Sequence, residues 1–328
     1  MSGATSGTYV YNQPTIKIIS GALRLCGAIG DEDTPTSPQL SNALDTLNAM
    51  IKGWSASQIH VWCEQECILF LNGGQAQYQL GPGSPDKACL YQDYTGTSLA
   101  ATAASGASTV VVASAANLLS GDNFCVQLDA GTNFWTTING APSGATVTLS
   151  APLPSQATSG ALCFDYTTQL MRPLRAPEGR RFIYASQIEN PLIVMSRFDY
   201  DYLPNKANKG TVTQFFYDPQ QGRGAYSSSI GLMNVWPTPQ DNTNAIRFVA
   251  QRTIQDINSL ADNVDFPAEW LPALRWNLAV EMAPEFDVPA DRYGVLKGKA
   301  DEWFLRASSW DKEPESVFFG FASQPGYR

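Results

Sequence analysis

Helical periodicity at both ends of the sequence, separated by a long β-rich stretch, is the feature that most restricts the fold. The first helix is predicted to begin behind Pro14 and to stop at Gly30. Its apolar positions follow helical spacing: Ile16, Ile19, Leu23 and Cys26. A second helix opens at Ser37. Its apolar face consists of Leu40, Ala43, Leu44, Leu47, Met50, Ile51 and Trp54. The two helices predict a hairpin that packs against another part of the chain.

The C-terminal part returns to the same helical pattern. Pro267, Pro284 and Pro289 bracket two predicted helices. The second of these carries apolar residues at helical spacing: Tyr293, Leu296, Ala300, Trp303, Phe304, Ala307 and Trp310. Upstream, Ser196 begins a Ser-Arg-Phe-Asp sequence that resembles a capping box and predicts a short additional helix.

Between the helical regions the hydrophobic period changes from 3.6 to 2. Residues 59–71 alternate between apolar and polar side chains, which predicts a strand. The sequence Asn72-Gly73-Gly74 provides a turn, after which residues 76–80 are predicted to return as the second strand of a hairpin.

Residues 93–165 differ sharply in composition from the rest of the chain, being rich in Ala, Ser, Thr and Gly with hardly any charge. Short β-rich runs recur in it at residues 109–112, 124–128, 134–138, 146–149 and 162–164. Turn sequences such as Gly121-Asp122 separate these runs. The pattern predicts a small β-sandwich or barrel module inserted into the chain.

We therefore predict an α+β fold, in which an N-terminal helical hairpin and C-terminal helices form one core that also carries β-strands. The predicted divisions are residues 1–92, the inserted β module at 93–165, the remainder of the core at 166–310, and an extended C-terminal tail at 311–328.

Charge restricts the possible partners. Charged residues make up 16% of the chain, and 30 acidic residues against 21 basic ones give a net charge of −9. That balance argues against a surface that grips nucleic acid throughout, because such a surface needs a basic footprint. A local basic cluster remains at Arg172, Arg175, Arg180 and Arg181. It is compatible with phosphate contact in a DNA channel or with contacts between subunits. In a chain of net charge −9, however, salt bridges to acidic neighbours or a solvated face are the favoured interpretation.

The residues available for catalysis are few. His60 is the one histidine of the chain, so a histidine-based triad would depend on this residue alone, and a multi-histidine metal site cannot form within one chain. On a strand, His60 would point away from Cys63 and Cys67, which favours structural cysteines over a metal site. Carboxylate pairs such as Asp199 with Asp201, or Glu64 with Glu66, are expected by chance in an acidic chain. We expect no catalytic site, no metal and no cofactor.

The amino-acid sequence also shows no pattern typical of a targeting signal. The N-terminal residues have neither a basic nor an apolar segment of the kind that signal peptides need, and no apolar run approaches the length of a membrane span. Six cysteines in 328 residues are too few for a disulfide-stapled fold. These features favour a protein made in a reducing cytoplasm without a membrane partner.

The C-terminal tail has an unusual aromatic content. After Pro314, aromatic residues stand among Gly, Ser and Pro, where an isolated segment would leave their rings in water. The tail either folds back on its own domain or inserts into a partner, and exposed aromatic segments favour the partner. The candidate contact residues are Val317, Phe318, Phe319, Phe321, Tyr327 and Arg328.

Several stretches, taken in order, resemble one family. Residues 15–25 and 43–54 are similar to the N-terminal hairpin of the head-to-tail adaptor proteins of short-tailed bacteriophages, also called tail accessory factors or packaged-DNA stabilisation proteins. Residues 195–200, 203–206 and 235–239 resemble the middle region of those proteins, and residues 265–274 resemble their last helical segment. The β module has no counterpart in the shortest members.

The resemblance implies a structural virion protein rather than an enzyme. It implies a ring, commonly of twelve copies, that docks beneath the portal protein at the head-tail interface after assembly in the host cytoplasm. Such a ring extends the DNA channel, retains packaged DNA without binding it specifically, and offers a platform to tail or nozzle proteins. In that family the C-terminal tail often contacts the portal, which would give the aromatic residues at 317–328 a partner.

Two other classes of function remain open from the sequence. A capsid- or tail-decoration module, or a glycan-binding module, would use residues 93–165. A cell-wall hydrolase would need two carboxylates held in a cleft.

Overall fold

The structure, a computed structural model, describes residues 7, 11–57, 61–219 and 230–311. The chain divides into two compact units. Residues 1–63 together with 254–328 form the first, which we call the helical unit, and Glu64–Thr253 form the second, the β unit. The β unit is therefore inserted between the two halves of the helical unit in sequence.

Five α-helices are present in the described residues, and both predicted pairs of helices are confirmed. They are α1 (Thr15–Cys26), α2 (Ser37–Ser57), α3 (Arg197–Asp201), α4 (Leu271–Met282) and α5 (Ala290–Trp310). The capping box before α3 is also confirmed, because the Ser196 hydroxyl accepts a hydrogen bond from the Asp199 backbone N–H.

The first helix ends earlier than the sequence pattern predicted. Gly27 adopts φ 79°, a left-handed conformation, and its N–H donates to the Arg24 carbonyl. The Ala28 N–H donates to the Leu23 carbonyl and completes a glycine-terminated helix end. The predicted stop at Gly30 was wrong because the nearer glycine already satisfies the orphan carbonyls. Ile16, predicted to face the core, is 40% exposed.

The core of the helical unit brings together helices from the two ends of the chain. Its fully buried residues include Leu23 of α1, Leu47 of α2, Leu274 of α4 and Trp270, which directly precedes α4. Hydrogen bonds fix the same arrangement: Cys26 donates its thiol to the Ala279 carbonyl. The hairpin predicted from the N-terminal pattern thus packs against the C-terminal helices.

The described residues of the β unit form seventeen strands. They are β1 (Glu64–Phe70), β2 (Gln77–Leu80), β3 (Ala88–Leu90), β4 (Thr95–Ser98), β5 (Thr109–Val111), β6 (Asn123–Gln127), β7 (Asn133–Thr137), β8 (Thr146–Thr148), β9 (Leu162–Tyr166), β10 (Arg175–Ile183), β11 (Ile188–Pro191), β12 (Ile193–Val194), β13 (Lys209–Gly210), β14 (Gln214–Asp218), β15 (Gly231–Trp236), β16 (Thr238–Pro239) and β17 (Asn244–Gln251).

Two sheets pack face to face in the β unit. One has the strand order β11-β10-β17-β1-β3, and the other has the order β12-β14-β15-β2. Between them lies a core that includes Leu69 of β1, Phe248 of β17, Phe215 of β14 and Met233 of β15. We call this part the sandwich.

The hairpin predicted around Asn72-Gly73-Gly74 was wrong, although the turn itself is present. Strand β1 already has neighbours on both sides, β17 and β3, and β2 pairs with β15 in the opposite sheet. The turn therefore carries the chain from one sheet to the other. The strand also begins later than predicted, because Cys63 closes a short 3₁₀ turn and is buried in the helical core.

The β-rich runs of residues 93–165 form strands as predicted. They lie in two sheets, β4-β9-β6-β7 and β5-β8, which enclose a largely aliphatic core. Val110 and Val147 reach that core from one sheet, and Phe124, Val126 and Cys163 reach it from the other. The module is thus a small sandwich of its own within the β unit.

The β module packs on the sandwich through a second, aromatic contact. Phe70 of β1 lies 5.3 Å from Phe164 and 6.0 Å from Tyr166, measured between ring centroids. On the same side Asn133 donates to the Leu71 carbonyl at 3.1 Å. Both faces of the C-terminal half of β1, from Cys67 to Phe70, are therefore buried, which the period-two pattern did not predict.

The α+β fold class is confirmed by this mixture of helices and sheets. The divisions predicted at residues 92, 165 and 310 stay predictions, whereas the compact units of the structure meet at 63/64 and 253/254.

Candidate functional site

The predicted tail contacts, Val317 to Arg328, lie outside the described residues, as does His60. The structure therefore bears on the second set of candidates, the four arginines around β10. It does not bring these four side chains together on one surface. Arg180 and Arg181 are adjacent in a strand, so their side chains point to opposite faces of the five-stranded sheet.

Arg180 belongs to a ring of charges on one face of that sheet. It meets Glu66 of β1 at 2.9 Å and Glu189 of β11 at 3.4 Å. Arg247 of β17 meets the same two glutamates, with 2.6 Å to Glu66. Positive and negative side chains thus alternate around a closed ring whose formal charges cancel. For Arg180, the salt-bridge alternative raised by the sequence is the arrangement present.

The surroundings of this ring fix its protonation and geometry. Burial alone would raise the pKa of Glu66, but the hydrogen bonds and charges of Arg247 and Arg180 outweigh it and hold that pKa below its ordinary value. The Arg247 guanidinium also lies over the Tyr91 ring, 3.5 Å from its centroid. Glu66 is therefore an ionised structural group, which does not suit the general acid of a carboxylate pair.

Arg181 faces the sandwich side of the sheet and has no such partners. It is half-buried, and its Nε is buried without a hydrogen-bond acceptor. Among the residues that the structure describes, no carboxylate forms an ion pair with it. Arg181 instead lines a small cavity between Gly210–Val212 and Pro239–Asp241.

The other two arginines lie nearer the start of β10. The Arg172 Nη1 donates to the Pro219 carbonyl at 2.9 Å. Arg175 is exposed and pairs through its backbone with Gln251 of β17. The predicted role of these residues in a DNA channel or a subunit contact stays a prediction.

Exposed apolar side chains mark two further surfaces. On the β unit, Phe198 and Tyr202 of the α3 segment are 65% and 72% exposed, and their ring centroids lie 4.3 Å apart. On the helical unit, Val295, Leu305 and Trp310 of α5 are each more than half exposed. Large exposed apolar groups that lie together are typical of protein contact surfaces.

The cysteines that the sequence analysis considered lie apart from one another. Cys63, Cys67 and Cys89 are buried in three separate cores. Burial raises the pKa of the Cys67 thiol to about 12, which keeps it protonated and inert. In the described ranges, no group of three or more His, Cys, Asp or Glu side chains has an arrangement that could hold a metal ion. Of the predicted carboxylate pairs, Asp199 is engaged in the cap of α3.

A carboxyl pair that the sequence analysis missed lies in the β module. Asp122 and Asp165 are 1% and 2% exposed, and their side chains are hydrogen-bonded to each other. Burial and then the charge of Asp122 raise the pKa of Asp165 to about 8. At neutral pH Asp165 thus holds a proton and donates it to Asp122, which also accepts from the Leu119 N–H at 2.7 Å.

The signal for this pair was present in the sequence. Asp165 lies two residues after Cys163, so the alternation that buries Cys163 also turns Asp165 inward. Because the pair is enclosed, it has no access to a substrate, and we assign it to the structure of the module.

No helix in the described part of the chain is both long and apolar enough to cross a bilayer. No protein-family model matches the chain. A search of curated proteins likewise gives no match.

Proposed function

We propose that the chain is a head-to-tail adaptor of a short-tailed bacteriophage. In this proposal, copies of the chain form a ring beneath the portal protein, extend the DNA channel, retain the packaged DNA and receive the tail or nozzle proteins. The protein acts as a structural component of the virion at the head-tail interface and not as an enzyme.

The observation that carries the proposal is that the helical segments that resemble the adaptor family pack together in one core. Residues 15–25, 43–54 and 265–274 are far apart in sequence, yet all three contribute to the one core of the helical unit. Leu23, Leu47 and Leu274 are fully buried in it. Segments that resemble one family in order, and that also pack as one core, support a common architecture more strongly than any of the short motifs alone.

The segments that resemble the middle region of the family also meet. The Trp236 indole donates to the Asn205 carbonyl at 3.0 Å, and the Thr238 hydroxyl donates to the Lys206 carbonyl at 3.1 Å. Strands β13 and β16 pair in parallel next to these contacts. The motif at 203–206 is thus held against the motif at 235–239.

Surface properties agree with a repeated assembly. Exposed apolar side chains on α5, among them Leu305 and Trp310, are available for a ring contact to cover. Ring contacts of this kind are heterologous and close by rotation, so each copy uses two different surfaces. The net charge of −9 on each copy makes a ring strongly acidic, and an acidic channel lets DNA slide without adhering.

Native mass measurement tests the proposal directly. We expect the purified chain, mixed with the portal protein encoded in the same genome, to form a complex with one saturating stoichiometry. A variant that lacks residues 315–328 should lose this complex, because the aromatic tail is the proposed portal contact.

A matched control separates the loss of the aromatic rings from the loss of chain length. The variant Phe318→Ser/Phe319→Ser/Phe321→Ser keeps the full tail and should lose portal binding as the truncation does. If the wild-type chain does not associate with the portal under any condition, the adaptor proposal fails. Binding of the isolated β module to glycans or to capsids would then favour the decoration class.

A further inference from the structure

We propose that the cavity lined by Arg181 binds one carboxylate group, presented by an acidic side chain of a second copy of this chain. The second-copy part of this inference rests on the proposed ring, whereas the carboxylate site itself stands on the geometry of the β unit. We call the cavity the Arg181 pocket.

The first observation is an arginine without a counter-ion. Arg181 lies opposite Ile246 of β17 and Asn190 of β11, on the second strand of the five-stranded sheet. Its Nε is buried without an acceptor, as are the Nε atoms of Arg180 and Arg247. Those two arginines nevertheless meet carboxylates through their Nη atoms, Arg180 at Glu66, Glu178 and Glu189, whereas no carboxylate in the described residues forms an ion pair with Arg181. A buried donor left without an acceptor costs desolvation free energy, so an acceptor that enters the pocket gains from a site that is already desolvated.

The second observation is the size of the pocket. It has a volume of about 50 Å³. Since one water molecule needs about 10–15 Å³ on this measure, the pocket takes about three to five non-hydrogen atoms. That is the size of a carboxylate with its adjoining methylene group, and it is too small for a sugar or a nucleotide. The lining residues are Leu71, Arg181, Gly210, Thr211, Val212, Pro239, Gln240, Asp241 and Asn244.

Hydrogen bonds hold the walls of the pocket in place. Gly210 of one wall pairs with Pro239 of the other through the β13–β16 bridge. The Gly74 N–H donates to the Pro239 carbonyl at 2.8 Å. On the rim, the Asn244 amide donates to the Thr243 hydroxyl, which donates to Asp241 at 2.6 Å. The pocket is therefore formed before any ligand arrives, which lowers the entropy cost of binding.

The charges around the pocket match one guanidinium to one entering carboxylate. Of the side chains that line it, Arg181 and Asp241 carry opposite formal charges, and the Asp241 carboxylate already accepts a hydrogen bond from the Thr243 hydroxyl. One carboxylate therefore matches the charge of Arg181, whereas a phosphate dianion would bring two negative charges next to Asp241. The planar guanidinium also matches the two oxygens of a carboxylate.

A second copy of the chain is the source that the composition supports. Each copy has nine more acidic than basic residues, so carboxylates without a basic partner are abundant on its surface. In a closed ring every copy meets its neighbour in the same way, and one acidic side chain would fill one Arg181 pocket around the whole ring.

The first arm of the test asks whether the pocket binds a carboxylate. We expect sodium acetate, but not sodium chloride, to shift the Arg181 Nε–Hε signal saturably in an NMR titration of the full chain. The Arg181→Met variant identifies the signal by its loss. A shift that chloride reproduces, or saturation by inorganic phosphate at lower concentration than by acetate, would overturn the carboxylate assignment.

The second arm asks where the carboxylate comes from. By sedimentation and native mass, Arg181→Met should need at least about tenfold more protein than wild type to form the ring, a change of about 1.4 kcal/mol. The exposed Arg24→Met serves as the matched control and should assemble as wild type does. A high concentration of acetate should weaken assembly of the wild-type chain, because acetate competes with the carboxylate of the second copy for the Arg181 pocket.

The outcomes separate the two proposals. If acetate binds but Arg181→Met assembles like wild type, the second copy is not the source and the ring proposal is untouched. If the wild-type chain forms no ring, the proposed function and the second-copy source both fail, while the acetate arm still decides the pocket. Should Arg181→Met not fold, Arg181→Lys replaces it. It keeps the charge without the planar fork, and unaltered assembly of that variant would count against the pocket.

Discussion

The helical unit and the β module stabilise their cores in different ways. In the helical unit the rings of Trp54, Phe266, Trp270 and Phe304 pack together, with centroid distances of 5.0 Å between Trp54 and Phe304 and 5.9 Å between Phe266 and Trp270. The module relies on small aliphatic side chains between two sheets and encloses the Asp122–Asp165 pair.

The difference shows that a cluster of large rings within an otherwise aliphatic core concentrates stability, whereas a core of small side chains spreads it over the strands. Each buried ring removes a large apolar area from water, so one truncation in the helical unit leaves a large cavity. In the module, single side chains contribute less, and the buried carboxyl pair makes part of the stability depend on pH.

The largest expected effect is in the helical unit. Trp270 is fully buried and contacts three other rings, so Trp270→Ala should destabilise the helical unit by about 3–5 kcal/mol. Hydrogen exchange followed by mass spectrometry would detect the loss in peptides of α1, α2 and α4. Trp310→Ala removes a ring that is 58% exposed and should change protection in those helices by less than about 0.5 kcal/mol. If the two variants had equal effects, the idea that the stability of the helical unit is concentrated in its buried rings would be contradicted.

The pH dependence of the module is the next largest effect. The pKa of Asp165 rises from 3.8 to about 8 on folding, so the folded module binds a proton that the unfolded chain releases. The stability that this proton contributes is complete below pH 3.8 and is lost as the pH rises through about 8. We expect the loss to be on the order of 2 kcal/mol, since structural relaxation absorbs part of the full linkage energy.

The variant Asp165→Asn isolates this contribution from all other carboxylates. Its amide stays neutral at every pH and can still donate to Asp122. Denaturant unfolding of wild type and variant between pH 4 and pH 9 should therefore give a difference that moves in favour of the variant as the pH rises. A difference that stays constant over this range would exclude Asp165 as the titrating group.

The smallest effect concerns the aliphatic core of the module. Val147 is fully buried between the two small sheets, and Val147→Ala should cost about 1–2 kcal/mol, measured as the free energy of unfolding. Val111, which is 39% exposed on the paired strand, provides the control, and its replacement by Ala should cost clearly less. A loss at Val147 as large as that at Trp270 would remove the contrast between the two cores.

Patterns local in sequence predicted much of this fold. The stripe at Leu47 and Ile51 predicted α2 because helical spacing repeats over many turns, and the runs around Val110 and Val147 predicted strands because turn sequences bound them on both sides. Strand partners could not be predicted in the same way. Whether β2 pairs with β1 or with β15 depends on which sheet edge is free, and that is decided by β17, far along the chain.

The sequence identified which residues of the candidate site are charged, but not how those residues are arranged. Four arginines within ten residues predicted one basic cluster, yet successive residues of a strand point to opposite faces of the sheet, so Arg180 and Arg181 lie on different surfaces. The glutamates that neutralise Arg180 come from β1 and β11, so neither the charge ring nor the unpaired state of Arg181 can be recognised from the local sequence.

The insertion of the β unit between the two halves of the helical unit sets an order for folding during synthesis. Lys52 of α2 donates to the Ile254 carbonyl and Thr15 to the Asp262 carbonyl, so α1 and α2 lack their packing partners until that later segment leaves the ribosome. At about 5–20 residues per second, synthesis of Glu64–Thr253 takes roughly 10–40 s. The β module at residues 93–165 is complete during that interval, whereas the sandwich waits for β17, so we expect the module to become protease-resistant first while residues 15–57 remain cleavable. Pulse proteolysis of stalled nascent chains of increasing length would reveal this sequence of events, and early protection of α1 and α2 would contradict it.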